Sequence, residues 1–252
     1  MAVIRFHTVW LRNLRVWRKN LLATLVGSLG QPLLFLLAMG HGLGQAVEPL
    51  AGLTYPQYIA PGLAVSAVMY TAAFETTYGS YTRLAIQKTY EAILMTPLSM
   101  TDLVLGEVAW GASKGLLAGM IVLLVLPFFG VIPSPWVVAA LPVLLLVGIC
   151  FAALGLIMTA LATNYDFFNY FISLVITPLF LFSGIFFPLE LLPGVAGMLL
   201  AMLPLAPVVT VARALCLGRL EATLPFLLVG PLLFSIIAVW MAVVLLRRRL
   251  IH

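Results

Sequence analysis

Glu75, Glu107 and Lys114 lie inside stretches of chain that are otherwise almost wholly apolar. A charge in such surroundings is costly unless it faces protein or water, so these three mark either internal pairing or a polar path. Glu107 and Lys114 stand seven residues apart and share one helix face. The expected arrangement is a structural ion pair of Glu75 with Lys114; reception of a charged headgroup by Lys114 is the alternative. Little else invites chemistry. His7, His41 and His252 are scattered, and Cys150 and Cys216 have no metal-ligand spacing. The letters Gly111-Ala112-Ser113-Lys114-Gly115 come in the wrong order for a phosphate-binding loop. The reading is no catalytic residue and no metal site. If ATP drives this protein, another chain must bind it.

These residues sit in a chain of 252 residues that is 63% hydrophobic and 8% charged. Soluble domains carry roughly 25% charged residues, so a water-facing surface cannot be built here. The net charge of +5 does not form a nucleic-acid patch, because the basic residues fall at the ends of apolar runs. Arg5, Arg12, Arg15, Arg18 and Lys19 spread through the first segment in a way that does not fit a cleaved signal. Arg5, Thr8, Arg12, Arg15 and Lys19 share one helix face, with Val9, Trp10, Leu14 and Trp17 away from it. This predicts an amphipathic interface helix over residues 1–20.

The fold class expected is all-α and polytopic. Spanning a bilayer takes roughly 20 apolar residues, and six segments qualify: 21–42, 59–81, 103–131, 136–162, 167–187 and 224–246. A further stretch, 189–217, is broken by Pro193, Pro204 and Pro207; its unbroken piece would reach only about 15 Å. It reads as a re-entrant helical pair before the last span. Six spans place both termini, Arg83, Lys88 and the terminal arginines on the cytoplasmic side, as the positive-inside rule asks. Along the second span, Tyr70, Phe74, Tyr78 and Tyr81 recur at helical spacing. Such a stripe can stack on sugar rings, or simply pack as an interfacial belt. In the loop that follows, residues 84–96 predict a short cytoplasmic helix stopped by Pro97, with Ser99 or Thr101 capping the next span.

The string Tyr90-Glu91-Ala92-Ile93-Leu94-Met95-Thr96-Pro97-Leu98-Ser99, followed by Leu105-Gly106-Glu107, resembles the cytoplasmic motif of ABC-2 type transporter permeases. A second string, Pro178 to Pro188 with Ser183, Gly184 and Phe187 inside it and Leu192-Pro193 after it, is similar to that family's fifth span and re-entrant segment. The resemblance runs over nearly the whole chain, and the NodJ-like permeases are the subgroup it points to.

That resemblance implies a half-transporter in the bacterial cytoplasmic membrane. It would form a homodimer and pair with two copies of a cytoplasmic ABC ATPase, which would hold the ATP and magnesium. Arg83, Lys88, Tyr90, Glu91, Met95, Thr96 and Pro97 would then form the coupling helix and its surroundings, with Glu91 at the core. The substrate implied is an amphiphile, a lipo-oligosaccharide or lipid-linked glycan, passing Tyr70, Phe74, Tyr78, Tyr81 and Lys114. Export of drugs or other lipids by the same architecture is an alternative, and a cation-coupled secondary carrier is another.

Overall fold

Ser99 starts one of the long apolar helices of the bundle. Its hydroxyl accepts the Asp102 N–H at 3.1 Å, and the Asp102 carboxylate accepts the Ser99 N–H at 3.0 Å, so two otherwise orphaned donors are satisfied at once. The computed structural model describes residues 5–20, 30, 32–42, 44, 48–50, 52–129, 131, 134–189 and 203–251. Residues 21–29 and 31 of the predicted 21–42 span, and residues 190–202 of the predicted re-entrant pair with Pro193 among them, lie outside the described residues.

We label the helices in chain order: α1, Phe6–Trp17; α2, Tyr55–Phe74; α3, Thr89–Leu94; α4, Met100–Val125; α5, Ala140–Leu161; α6, Asp166–Phe182; α7, Leu205–Leu217; and α8, Val229–Ile251. Among the described residues there is no β-strand. Among the described residues, three stretches are long and apolar enough to cross a bilayer: Met100–Phe128, Pro135–Leu161 and Leu224–Ile251. The protein is therefore a helical membrane protein.

Helix α2 is buried on all sides between Tyr58 and Met69, which makes it the centre of the bundle. It packs on α4 and α5, which pack on each other, while α8 lies against α5 and α1 against α4. Helix α8 buries Pro231, Ser235, Ala238, Ala242 and Leu246 at three- and four-residue steps, and exposes Leu232, Leu233, Ile236, Ile237 and Trp240. That is the pattern of a peripheral helix with one face toward lipid.

Small residues bring the central helices together. A Cβ added at Gly148 on α5 would stand 2.8 Å from the Ala112 Cα and 3.0 Å from its carbonyl oxygen on α4. Backbone cannot move aside as a side chain can. Gly148→Val should therefore lower the stability of the purified chain by about 1–3 kcal/mol, read as a lower melting temperature in detergent. Gly230→Ala, at a helical position with open space around it, should be neutral or stabilising.

The helices alternate between two ends of the bundle. At one end the Tyr81 hydroxyl donates to the Thr163 carbonyl at 2.6 Å, joining the end of α2 to the α5–α6 turn. Arg249, in the last turn of α8, donates to the Thr159 and Ala160 carbonyls at 2.6 and 3.0 Å. A cation there satisfies carbonyls at the C-terminus of α5 and complements its dipole. At the other end, Arg213 of α7 stacks over the Tyr58 ring at 3.8 Å and donates to the Gly184 carbonyl at 2.6 Å. There too the Ser134 N–H donates to the Cys216 carbonyl at 2.6 Å.

Two predicted elements are corrected. The single cytoplasmic helix over 84–96 is divided: Thr82–Ile86 continues from α2 as a π-helical turn, and the separate helix α3 is Thr89–Leu94. Lys88 breaks the run by taking the left-handed conformation, φ 54°, which costs a residue with a Cβ roughly 1 kcal/mol. The span predicted to end at 187 ends as a helix at Phe182. Gly184, at φ 74°, ends it as glycine does beyond many helices, and residues 183–187 form a bend.

Candidate functional site

Near the Tyr81 end, the last turns of α2 leave regular geometry. The Thr76 and Thr77 hydroxyls donate back to the Ala72 and Ala73 carbonyls at 2.8 and 2.7 Å, and Thr159 of α5 donates to the Thr76 carbonyl at 2.7 Å. Glu75–Gly79 is a π-helical turn, a local rewinding frequent at functional sites. The rewound segment sets Glu75, Ser80 and Arg83 against α4.

A buried charge network results. Glu75 accepts from Arg83 Nη1 at 2.9 Å, Trp110 Nε1 at 2.9 Å and Lys114 Nζ at 2.6 Å. Glu107, wholly buried, accepts from Arg83 Nη2 at 2.7 Å, the Ser80 hydroxyl at 2.9 Å and Asn13 Nδ2 at 2.9 Å. Arg83 thus bridges two carboxylates, and each carboxylate is held by three donors. Charges taken out of water persist only when paired and hydrogen-bonded in this way.

The network ties three elements. Asn13 brings in α1, which also lies against α4 where the Arg5 N–H donates to Asp102 at 2.6 Å and Trp10 Nε1 donates to Ser113 at 3.1 Å. Helix α3 joins through Tyr90, whose side chain is fully buried. Its hydroxyl lies beside Ser80 and Arg83 without a well-formed hydrogen bond among the described residues. Burial pushes the phenol well above its usual pKa, so it stays neutral. Around this anchor the helix is open to solvent. Met95 is 89% exposed, and Glu91 is half-exposed with Lys88 Nζ at 3.1 Å. Thr96 and Pro97 are exposed as well. The core of this helix is therefore Tyr90, and Glu91 points outward.

The aromatic residues form a second feature on another face of α2. Tyr70 stacks on Phe74 with centroids 6.2 Å apart, Phe74 on Tyr78 at 5.6 Å, and Tyr78 on Tyr165 at 6.2 Å. Phe168 and Phe180 of α6 meet Tyr78 and Tyr70 edge-on. Phe74 is 41% exposed, whereas Tyr81 is buried against the α5–α6 turn. In the bend after α6, Ser183 is buried and donates to the Leu179 carbonyl, and the Gly184 carbonyl takes the Arg213 guanidinium. Phe187 and Pro188 are half-buried.

A short exposed helix, anchored by one buried ring to a charge cluster that joins two long apolar helices, has the form of a mechanical connection. Comparison with known proteins gives it a family. Residues 4–217 match the profile of the ABC-2 type transporter. The chain belongs to the ABC-2 type transporter family. It is 38% identical to Nodulation protein J of Rhizobium leguminosarum bv. trifolii over 249 residues, covering 99% of this chain and 95% of the relative. Nodulation protein J of Sinorhizobium fredii is 37% identical, with 96% and 93% covered. The Inner membrane transport permease YadH of Escherichia coli is 28% identical over 74% of this chain and 75% of its own length. This is a NodJ-like ABC-2 permease, the membrane subunit of an ABC transporter.

Within this ABC-2 permease, sequence reasoning missed Asn13, Ser80 and Trp110. Asn13 carried a usable signal, since it falls on the face of α1 shared by Val9 and Trp17 and is a polar residue among apolar ones. Ser80 and Trp110 carried none, because both are ordinary at a membrane boundary. Lys114 does meet Glu75, with the geometry expected of a structural pair. Lys114→Met should cost about 1–3 kcal/mol of stability while still folding, because Arg83 and Trp110 continue to hold Glu75. A thermal melt in detergent checks this. An unchanged melt with lost transport would assign Lys114 to the substrate instead.

Proposed function

We propose that this chain exports an amphiphilic substrate, a lipo-oligosaccharide or lipid-linked glycan, as a homodimer driven by two copies of a cytoplasmic ATPase. The observation that carries the coupling is α3: its outer side is exposed from Glu91 to Pro97, while Tyr90 plugs it into the network of Glu75, Arg83, Glu107 and Asn13. A push on α3 is passed to α1, α2 and α4 together. The ATPase supplies the ATP and magnesium, and Arg83, Lys88, Tyr90, Glu91, Met95, Thr96 and Pro97 form or support the surface it moves.

The end of the bundle that bears Arg5, Arg12, Arg83, Lys88 and Arg249 faces the bacterial cytoplasm, following the positive-inside rule, and both termini lie there. Gly184 and Cys216 both lie at the opposite end, which supports a segment that dips into the membrane and returns between them. The substrate reading rests on the relatives' share of the chain and on the stack of Tyr70, Phe74 and Tyr78, whose partly exposed rings suit sugar faces. A carrier driven by protons or sodium is disfavoured, because Glu75 and Glu107 are each already committed to a cation.

The test is mild-detergent purification of the tagged chain from native membranes, with mass spectrometry of stoichiometric partners. Recovery of an ATPase with a phosphate-binding loop supports the assignment. Recovery of the chain alone, under conditions that preserve a known ABC complex, refutes it. Transport of candidate glycolipids into inverted vesicles then separates glycan export from drug or other lipid export.

A further inference from the structure

The ring stack on α2 ends against the α5–α6 turn in a group of polar side chains that lies outside the charge network. The Tyr78 and Tyr165 rings are within 7° of parallel, and Tyr165, Asp166 and Asn169 are all exposed. The Tyr78 hydroxyl donates to Asn169 Oδ1 at 3.2 Å. Thr82 gives its one hydroxyl proton to the Tyr78 carbonyl at 2.7 Å, so in its 2.7 Å contact with Tyr165 the tyrosine hydroxyl is the donor. The Tyr78–Asn169 and Thr82–Tyr165 bonds both lie at the protein surface, within reach of a ligand.

These bonds leave a defined set of valences open. Asn169 keeps its Nδ2 donors, and the Tyr78 and Tyr165 oxygens keep lone pairs. The Asp166 carboxylate, one helical turn before Asn169, is paired with no cation among the described residues. Flat ring faces beside a neutral donor, hydroxyl acceptors and a carboxylate match a sugar, which turns an apolar C–H face to the rings and carries hydroxyls that both give and take protons. A phosphate would meet Asp166 as a like charge, and a cationic head would leave the Asn169 donors unused. We propose that Tyr78, Tyr165, Asp166 and Asn169 form a subsite for one sugar ring of the cargo's head group, at the cytoplasmic end of its path. This rests on the proposed export of a glycan amphiphile, and it makes the α6 residues Asp166 and Asn169 the ones that select a sugar over another head.

The experiment is calorimetric titration of the purified full chain in lipid nanodiscs, with the signal of empty nanodiscs subtracted. The probes are octyl maltoside, octyl tetraoxyethylene and octyltrimethylammonium below their micelle concentrations, which share one chain and differ in the head. Saturable binding of the maltoside is expected, at least about fivefold tighter than either other probe. Asn169→Leu should weaken it about fivefold through loss of one hydrogen bond, and Tyr78→Leu at least as much through loss of a ring face. Trp240→Leu, which removes an exposed ring on α8, should leave it unchanged. If Tyr78→Leu fails to fold, Asp166→Leu, at an exposed position, serves in its place with a similar weakening. Equal binding of the maltoside and the polyether, tighter binding of the ammonium, or indifference to the substitutions overturns the subsite. Recovery of an ATPase without sugar-selective binding removes the subsite alone, whereas sugar-selective binding without an ATPase removes the drive alone.

Discussion

Replacing Arg83 with leucine will lower the melting temperature of the purified permease by about 6–20 °C. This follows from a cost of about 3–5 kcal/mol for leaving a buried charge without its partner and about 2–4 °C per kcal/mol at this chain length. Glu107 is wholly buried, and Arg83 is the one cation paired with it among the described residues. Glu75 suffers less, since Lys114 remains at 2.6 Å. The damage is thus localised, and a double substitution can show it. Arg83→Leu combined with Glu107→Leu should recover a good part of the loss, because neither charge is then stranded. A double variant no more stable than Arg83→Leu alone would mean that the penalty arises from packing instead.

On the proposed coupling through α3, Glu91→Arg should uncouple ATP hydrolysis from export while leaving the fold intact. The Glu91 carboxylate is half-exposed and pairs only with exposed Lys88 among the described residues, an interaction worth little to stability. Its melting temperature should match that of the parent chain. In membranes containing the proposed ATPase, export should then fall more than tenfold, because a reversed charge on the proposed contact surface would repel a group that suits the carboxylate. The assay is substrate accumulation in inverted vesicles, with ATP hydrolysis measured alongside. Unchanged export would remove Glu91 from the coupling surface.

The helical class, the long apolar helices and the Ser99 cap were legible because each rests on local signals: run length, periodicity and a residue able to bond to its own backbone. The break at Lys88 was not, since a lysine in the left-handed region has no signature and is held there by Tyr90 on one side and the end of α2 on the other. The Glu75–Lys114 pair was foreseen from the cost of charge in an apolar run. That the same cost also recruits Arg83 from the loop was hidden, because Arg83 falls beyond the apolar run and reads as a solvated residue. It reaches the network only because π-helical turns rotate the end of α2. Asn13 is obscured for a related reason: the basic residues dominate the pattern of α1, and one polar residue on its buried face stands out little beside them.

Helix α2 presents its charges to α4 and its aromatic rings to α6. These are different surfaces of one rod. Substitutions on the ring-bearing side leave the ion pairs on the α4 side in place. On the proposed reading, the surface that takes the drive and the surface that meets the cargo are thus two sides of one helix, and a change of cargo does not require a change of drive.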